Sequence, residues 1–438
     1  MAALAQRGMR VTPFKVGPDF IDPGHHQRIT GSVSRNLDGW MLGRETNRQI
    51  FSRGMDRSDI AVVEGVMGLF DGYDGMSEAG STAQMSKWLD LPVILVVDAR
   101  SMARSAAALV QGFENFDPPL AFAGVIFNRI GSRRHLRYLQ EALEDHVEMP
   151  CLGGIERDEE IAIPQRHLGL MTREDFTLSD DAVGRLAGCV STAVDLKKLL
   201  ARLPEIRPES LPEPPPQQNG RRVRIGVARD QAFCFYYQEN FDLLTAGGAD
   251  LVEFSPIGDE ALPPDLAGIY LGGGYPELFA DRLANNRAMR QQILSASHAG
   301  MPIYAECGGF MYLGTAIEDL QGRSHAMVGC LPIDTRMLPR RRSLGYRQVT
   351  LQRQTVLGGP GETIRGHEFH YSEIAGTRQP LERVYRITDR DSRQEVLEGY
   401  TVRNTLGSYV HLHFGSHPQV AENFVDCCRR HLGNRREP

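Results

Sequence analysis

No stretch of this 438-residue sequence approaches the roughly 20 consecutive apolar residues that span a bilayer, and no signal-peptide pattern opens it. A cytoplasmic protein with no membrane partner is the expectation. Also missing is a basic run interleaved with aromatics that would track a phosphate backbone. Net charge is −6 with both signs dispersed, which argues against nucleic acid as a partner. The seven cysteines, at 151, 189, 234, 307, 330, 427 and 428, are odd in number, scattered and without a C-x-x-C pair. That spacing argues against both a disulfide framework and a structural zinc site. What remains is an ordinary globular composition, 41% hydrophobic and 24% charged, over a length that predicts two or three domains.

The stretch that organises the chain is Met301 to Gly314, MPIYAECGGFMYLG. Pro302 to Ala305 read as a strand, Glu306-Cys307-Gly308-Gly309 as a tight turn, and Phe310, Met311 and Leu313 as the start of a helix. A reactive side chain on such a strand-to-helix turn points away from the sheet, and the helix N-terminus is expected to stabilise a thiolate and lower its pKa. A small buried cysteine closing a core strand is the competing reading.

Residues Met1 to Gly8 read as the last turns of a helix closed by a glycine C-cap, so a strand is expected to precede them. Val11–Val16 reads as a strand, followed by a loop with Asp19 and Asp22. Ile60 to Val63 is a β-branched run ending in Glu64 and a glycine-rich loop with Asp71; Leu91 to Asp98 and Ala123 to Asn128 are further runs of this type. Four strands alternating with helix-like segments predict a parallel α/β sheet, with acids at the carboxyl edge where such sheets bind ligands. Lys15, Asp19, Asp22, Glu64 and Asp71 cluster there by topology. Lysine neutralises phosphate and hard carboxylates suit Mg²⁺, so the set reads as a nucleotide-metal site. Singly, each acid could instead cap a helix or be solvated.

Leu203 to Asn219, seventeen residues with six prolines, reads as an extended linker between a first domain (1–200) and a second α/β domain (221–434). The second domain opens with Val223 to Val227 as a strand. Leu266 to Leu271 then leads into Gly272, Gly273 and Gly274, a run whose backbone N–H groups can approach an oxyanion or simply turn the chain. His411 and His413, two apart on a β-branched and aromatic run, are expected on one strand face, where one can meet Cys307. A metal pair is the alternative, but no nearby Cys or Asp completes a ligand set.

The segments FKVGPDFIDPGHH, RNLDGWML, EGVMGLFDG, VIFNRIGS and IPQRHLGL occur in order in the first half, and FCFYYQENFDLL, LGGGYPELFA, YAECGGFMYLG, RSLGYR, GHEFHYS and GSYVHLHFGSHP in the second. With them the chain resembles the cobyrinate (hydrogenobyrinate) a,c-diamide synthases, glutamine- and ATP-dependent amidases of the corrin pathway to cobalamin. The resemblance implies a P-loop, dethiobiotin-synthetase-like parallel-sheet domain followed by a class I glutamine amidotransferase domain. It implies ATP and Mg²⁺ as cofactors, and glutamine and a corrin polycarboxylate as small-molecule partners, with a homodimer as a possible assembly. It makes Cys307 the glutaminase nucleophile, His411 its activating histidine, and Gly273 and Gly274 the oxyanion loop. Many class I amidotransferases carry an orienting Glu two residues after that histidine. Here His413 stands there, which implies a Cys–His dyad. Lys15, Asp19, Asp22, Glu64 and Asp71 fall on synthetase-site positions for phosphate, Mg²⁺ (Asp19 and Glu64) and the substrate carboxylate, and Asn128 where adenine is read.

One departure stands out. The family's opening strand and G-x-x-x-x-G-K-[ST] loop, about two dozen residues, are not in the sequence as given. A start placed downstream of the true one is the expectation, and a protein that discarded ATP binding the alternative. Tyr346, Arg347 and His367 to Tyr371 lie in motifs that could face the corrin ring or belong to the second domain's core. Other readings are a nickel-sirohydrochlorin a,c-diamide synthase, and a glutaminase or tetrapyrrole-binding protein without ATP use.

Overall fold

The computed structural model describes residues 1–159, 161, 178–206, 222–389 and 395–434. The chain divides into two compact units, Met1–Leu211 and Pro212–Pro438. Most of the proline-rich segment expected at 203–219, and the IPQRHLGL motif, lie outside the described residues. No described helix is long and apolar enough to cross a membrane.

The first unit holds β1 (Val11–Val16), β2 (Arg35–Leu37), β3 (Ile60–Glu64), β4 (Val93–Asp98), β5 (Phe122–Ile130) and β6 (Cys151–Glu156), with helices between them. All pairings are parallel, as the alternation of strands and helices predicts. The strands do not form the single expected sheet. Among the described residues they form two, β2-β1-β3 and β4-β5-β6, with β3 and β4 each at a sheet edge. In consequence β3 is half-buried rather than a buried central strand, and Val96 on β4 is 60% exposed. Helix starts follow side-chain caps: Ser81, Ser132, Ser179 and Asp195 each accept a backbone N–H three residues on. Leu95, Val97, Val110, Val125, Phe127 and Leu139 fill one core.

In the second unit β7 (Val223–Ala228), β8 (Ala249–Phe254), β9 (Leu266–Leu271) and β10 (Ile303–Glu306) are followed by β11 (Ala316–Glu318), β12 (Ser324–Ala326) and β13 (Ile333–Met337). Next come β14 (Ser343–Leu351), β15 (Thr363–His370), β16 (Ser372–Thr377), β17 (Glu382–Thr388), β18 (Glu395–Val402), β19 (Thr405–Ser408) and β20 (His411–Leu412). A ten-stranded sheet runs β20-β15-β14-β17-β18-β19-β10-β9-β7-β8, and a smaller one β12-β11-β13-β16. From β19 to β8 the large sheet is parallel, which brings the carboxyl ends of β9, β10 and β19 side by side. The residues that follow those three ends carry the chemistry. Beyond β19 the sheet is antiparallel.

Asn240, fully buried on the helix Gln238–Ala246, ties down the segment after β19. Its amide nitrogen donates to the Leu412 carbonyl (2.9 Å), and its oxygen accepts from the Phe414 N–H (2.8 Å). Replacement by an isosteric apolar side chain, Asn240→Leu, leaves two buried backbone groups unmatched, at about 1–3 kcal/mol each. Chemical denaturation should show a loss of that order; an unchanged midpoint would mean that other groups satisfy the segment.

Candidate active site

β10 ends on Glu306, one residue later than the sequence suggests, and Cys307 follows with φ 45° and ψ −103° before the helix Gly308–Leu313 begins. A non-glycine residue at positive φ is strained by roughly 1–3 kcal/mol and persists only where its surroundings hold it. Here the Cys307 N–H donates to the Ser408 carbonyl (2.8 Å), the Met311 N–H to the Cys307 carbonyl (2.9 Å), and the Gly309 N–H to the Gly272 carbonyl (3.0 Å). The glycines after the cysteine are required by space. A Cβ on Gly309 would lie 2.5 Å from the Leu271 carbonyl, and one on Gly308 would lie 2.9 Å from Pro276 and 3.0 Å from the Gly274 nitrogen. The elbow expected from the sequence is present, with its glycine loop packed against it.

His411 completes the convergence. Its ring lies so close over Gly273 that a Cβ there would stand 2.3 Å from the ring Cε1. On its other side the ring stacks on His367 (centroids 4.8 Å apart), whose Nδ1 is 2.7 Å from the Tyr237 hydroxyl. Within the glycine loop the Gly272 N–H donates to the Tyr236 hydroxyl (2.8 Å) and the Gly273 N–H to the Phe235 carbonyl (3.2 Å). Gly273 therefore supplies room for the histidine, and its N–H is already engaged. That leaves Gly274 as the loop's candidate oxyanion donor. The two histidines do not share a strand as expected, because β20 ends at Leu412. His413 instead caps the next turn, its Nδ1 accepting the Gly415 N–H (3.1 Å) while its ring packs on Tyr237.

The electrostatics correct one expectation. The thiol of Cys307 is not poised as a thiolate: burial pushes its pKa up, Glu277 adds to the shift, and the Gly308 N–H offsets only part of it. Burial also lowers His411 to about 3, with His370 adding to the effect. Burial raises Glu306 to about 7, against hydrogen bonds from Tyr304, Leu412 and Tyr270. The resting site thus holds a neutral thiol and a neutral imidazole. Beside Cys307, whose sulfur lies 3.9 Å from the Phe369 carbonyl, Glu368 pairs with Arg347 (2.7 Å) and His370 (2.8 Å). Burial pushes the Glu368 carboxyl up, but those two partners outweigh it and hold it at about 2. Arg347 and His367 to His370 therefore belong to the surroundings of Cys307 and His411.

In the first unit the structure joins Lys15, Asp19, Asp22 and Glu64. Lys15, with a side chain only 5% exposed, reaches Asp22 (2.7 Å), the Gly65 carbonyl (3.0 Å) and Glu64 (3.4 Å). His26, which the sequence reading overlooked, lies 2.5 Å from Glu64 and 3.0 Å from the Ser34 hydroxyl. Its position in the GHH run after the acidic loop was the available signal. Burial alone would raise the Glu64 pKa, but His26 and Lys15 more than offset it and the carboxyl titrates below its ordinary range. Asp19 titrates above its ordinary range through burial and then the neighbouring Asp22, while its Oδ1 accepts the Ile21 and Asp22 N–H groups. It is both a cap and a cluster member. Asp71 and Asn128 lie outside this bonded cluster. Asp71 accepts the Gly68 N–H (3.0 Å), and Asn128 pairs in register with Asp98, which binds Arg129 (3.0 Å).

Among the described residues no group of three or more His, Cys, Asp or Glu side chains is arranged to hold a metal ion. Two carboxylates, Asp19 and Glu64, do not make a protein cage. Mg²⁺ takes most of its oxygen shell from phosphates and water, so the chemistry of one or two carboxylates is what it asks of a protein.

A strained cysteine elbow, a buried histidine and a glycine loop at the edge of a parallel sheet define a class I glutamine amidotransferase unit, preceded here by a parallel α/β unit with a lysine-carboxylate cluster. The family profile for a CobB/CobQ-like glutamine amidotransferase domain matches residues 224–419, and that for a CobQ/CobB/MinD/ParA nucleotide binding domain matches residues 1–170. The cobyrinate a,c-diamide synthase of Syntrophotalea carbinolica is 47% identical over 98% of this chain and 94% of its own length. Those of Salmonella typhimurium (41% identical, 98% of this chain, 94% of its own) and Methanosarcina acetivorans (41%, 99% and 92%) are similar throughout. The chain belongs to the cobyrinate a,c-diamide synthase family, and it is a glutamine-dependent amide-forming ligase with a nucleotide-binding domain.

Gly273→Ala tests the close approach of the histidine. A methyl group 2.3 Å from the His411 ring must displace it, and a misplacement of about 1 Å costs roughly 100-fold in rate. Glutamine hydrolysis should fall by that order, beyond what the loss of about 1–3 kcal/mol of stability from overpacking accounts for, and a full-rate variant would mean that the ring moves without consequence.

Proposed function

We propose that this enzyme amidates the a and c acetate carboxylates of cobyrinate or hydrogenobyrinate, using ATP and glutamine, as a cytoplasmic step of cobalamin biosynthesis. The observation that carries the reading is the convergence on the Gly272–Gly274 loop of the elbow that holds Cys307 at positive φ and of the His411 ring. Cys307 acts as nucleophile and His411 as base. The imidazole takes the thiol proton as sulfur attacks the side-chain amide carbon of glutamine, and the Gly274 N–H faces the oxyanion. The proton then passes to the leaving nitrogen as the C–N bond breaks, releasing ammonia and leaving a thioester. Water hydrolyses the thioester to glutamate and restores the thiol.

A carboxylate is too poor an electrophile for ammonia at neutral pH and must be activated. In the first unit the γ-phosphoryl group of ATP passes to an acetate oxygen, giving an acyl phosphate and ADP. Lys15 neutralises the charge that develops on the phosphoryl oxygens. Asp19 and Glu64 would hold Mg²⁺, which when bound neutralises phosphate charge. Asp22 and Asp71 would serve the substrate carboxylate side, and Asn128 the adenine. Ammonia then displaces phosphate to form the amide, and two turnovers complete the a,c-diamide.

The division of labour predicts that Cys307→Ala abolishes glutamine-dependent amidation, by at least about 1000-fold, while synthesis from added ammonium salts continues at its normal rate; loss of both would refute it. Glu64→Gln should stop synthesis from either nitrogen donor, at a cost of about 100-fold or more. If amidation rates with both donors were unaffected, Glu64 would not belong to the site.

A further inference from the structure

Glu306 precedes the nucleophile in the chain and is buried, 1% exposed, with no lysine or arginine paired to it among the described residues. Both of its oxygens are anchored. Oε1 accepts the Tyr304 hydroxyl (2.7 Å) and the Leu412 N–H (3.0 Å), and Oε2 accepts the Tyr270 hydroxyl (3.0 Å). The same Oε2 faces His411 Nδ1 at 3.9 Å. The residue one step before Cys307 thus bonds the backbone one step after His411 and presents a carboxyl oxygen to the imidazole. Position 413, where an orienting acid stands in many class I amidotransferases, is occupied by a histidine whose Nδ1 accepts the Gly415 N–H.

We propose that Glu306 is the positioning residue for His411, its carboxylate holding the Nδ1–H tautomer and stabilising the imidazolium that forms when Cys307 gives up its proton. The inference rests on the reading of Cys307 and His411 as nucleophile and base. A cation formed in a buried site without a counter-ion is costly, and Glu306 is the carboxylate whose oxygen lies nearest the ring among the described ion pairs. A proton on Nδ1 makes Nε2 the unprotonated nitrogen of the ring, the atom that takes the thiol proton, and a sub-ångström closing of the 3.9 Å gap makes an N–H···O bond as charge develops. The titratable groups around the carboxyl are Tyr236 and Tyr270 from one side, Tyr304 and Cys307 from its own strand and elbow, Tyr385 from β17, and His411. The tyrosines titrate far above neutrality. The His411 ring also faces Glu368, whose charge favours the imidazolium, and His370, whose charge disfavours it. Glu368, held at about 2, stays ionised through the neutral range, so Glu306 is the carboxyl whose charge changes there. It is ionised above about pH 7 and loses its hold on the imidazolium as pH falls through that value.

The test is the pH dependence of glutamine hydrolysis and of iodoacetamide alkylation of Cys307 in the full chain and its variants. In the wild type, kcat should fall as pH drops through about 7. Glu306→Gln keeps the side chain's size and most of its hydrogen bonds. It should lower kcat about 10- to 100-fold, leave KM for glutamine within about twofold and abolish that inflection in both assays. Wild-type kcat with the inflection retained would overturn the proposal, as would kcat and KM changing together with the inflection in place, the result of a merely structural role. Should Glu306→Gln fail to fold, Tyr270→Phe decides. Removing the hydroxyl from Oε2 destabilises the carboxylate and must move the inflection to higher pH, and an unmoved inflection overturns the proposal. Cys307→Ala separates the two levels: glutamine hydrolysis persisting in it sinks the nucleophile reading itself, whereas its loss beside an unperturbed Glu306→Gln sinks only the role of Glu306.

Discussion

The second unit depends on one local constraint, the positive φ of Cys307 between a parallel strand and a short helix. The strained residue is fixed from three directions: Ser408 on the neighbouring strand accepts its N–H, the helix bonds back to its carbonyl, and Gly272 bonds to Gly309. Each of these partners sits at or beyond the carboxyl end of β9, β10 or β19. The strain is local, while two of the three groups that hold it, Ser408 and Gly272, come from segments more than thirty residues away in the chain. That separation is why the elbow, the oxyanion loop and the histidine form one object only in the folded sheet.

Behind the elbow lies a polar network rather than an apolar plug. Glu306 joins Tyr304, Tyr270 and the Leu412 backbone, and Asn240 joins Tyr270, Leu412 and Phe414. Glu398 accepts the Ser408 hydroxyl and the N–H groups of Gly399 and Tyr409. Burial brings Glu306 and Glu398 each to about 7, so neither is a strong anion at rest. A satisfied network of this kind specifies one register of the 405–414 segment, where an apolar core would tolerate several. The cost is burial of groups that must remain hydrogen-bonded at every oxygen.

The first unit solves a different problem. Its cluster is built from opposite charges, with Lys15 buried against Asp22 and Glu64. There the lysine is desolvated and its charge is compensated by the carboxylates that face it. Among the described residues β3 and β4 each lie at a sheet edge, and this unit is not the single sheet that its strand pattern implies.

The strands around the two sites were legible in the sequence because β-branched runs that end in Gly, Asp or Glu carry a local signal. Val11–Val16 and Leu266–Leu271 were bounded correctly from pattern alone. The cysteine turn, the glycine loop and the Lys15–Asp22 loop stood out in the sequence because each is a contiguous motif whose residue types suit one chemistry. What the sequence could not supply was direction and distance. It did not say that Gly273 has its N–H engaged and serves as room for a ring, nor that His413 turns to Tyr237. It did not mark His26 as the partner of Glu64 or Glu306 as the acid facing His411. Nor did it tell that burial and Glu277 would outweigh the helix terminus and keep the thiol protonated. Residue types along the chain determined the fold class and the chemistry available. Tertiary structure decided which groups meet and how each is charged, because burial and contacts between distant segments set hydrogen-bond partners and pKa values that no local pattern contains.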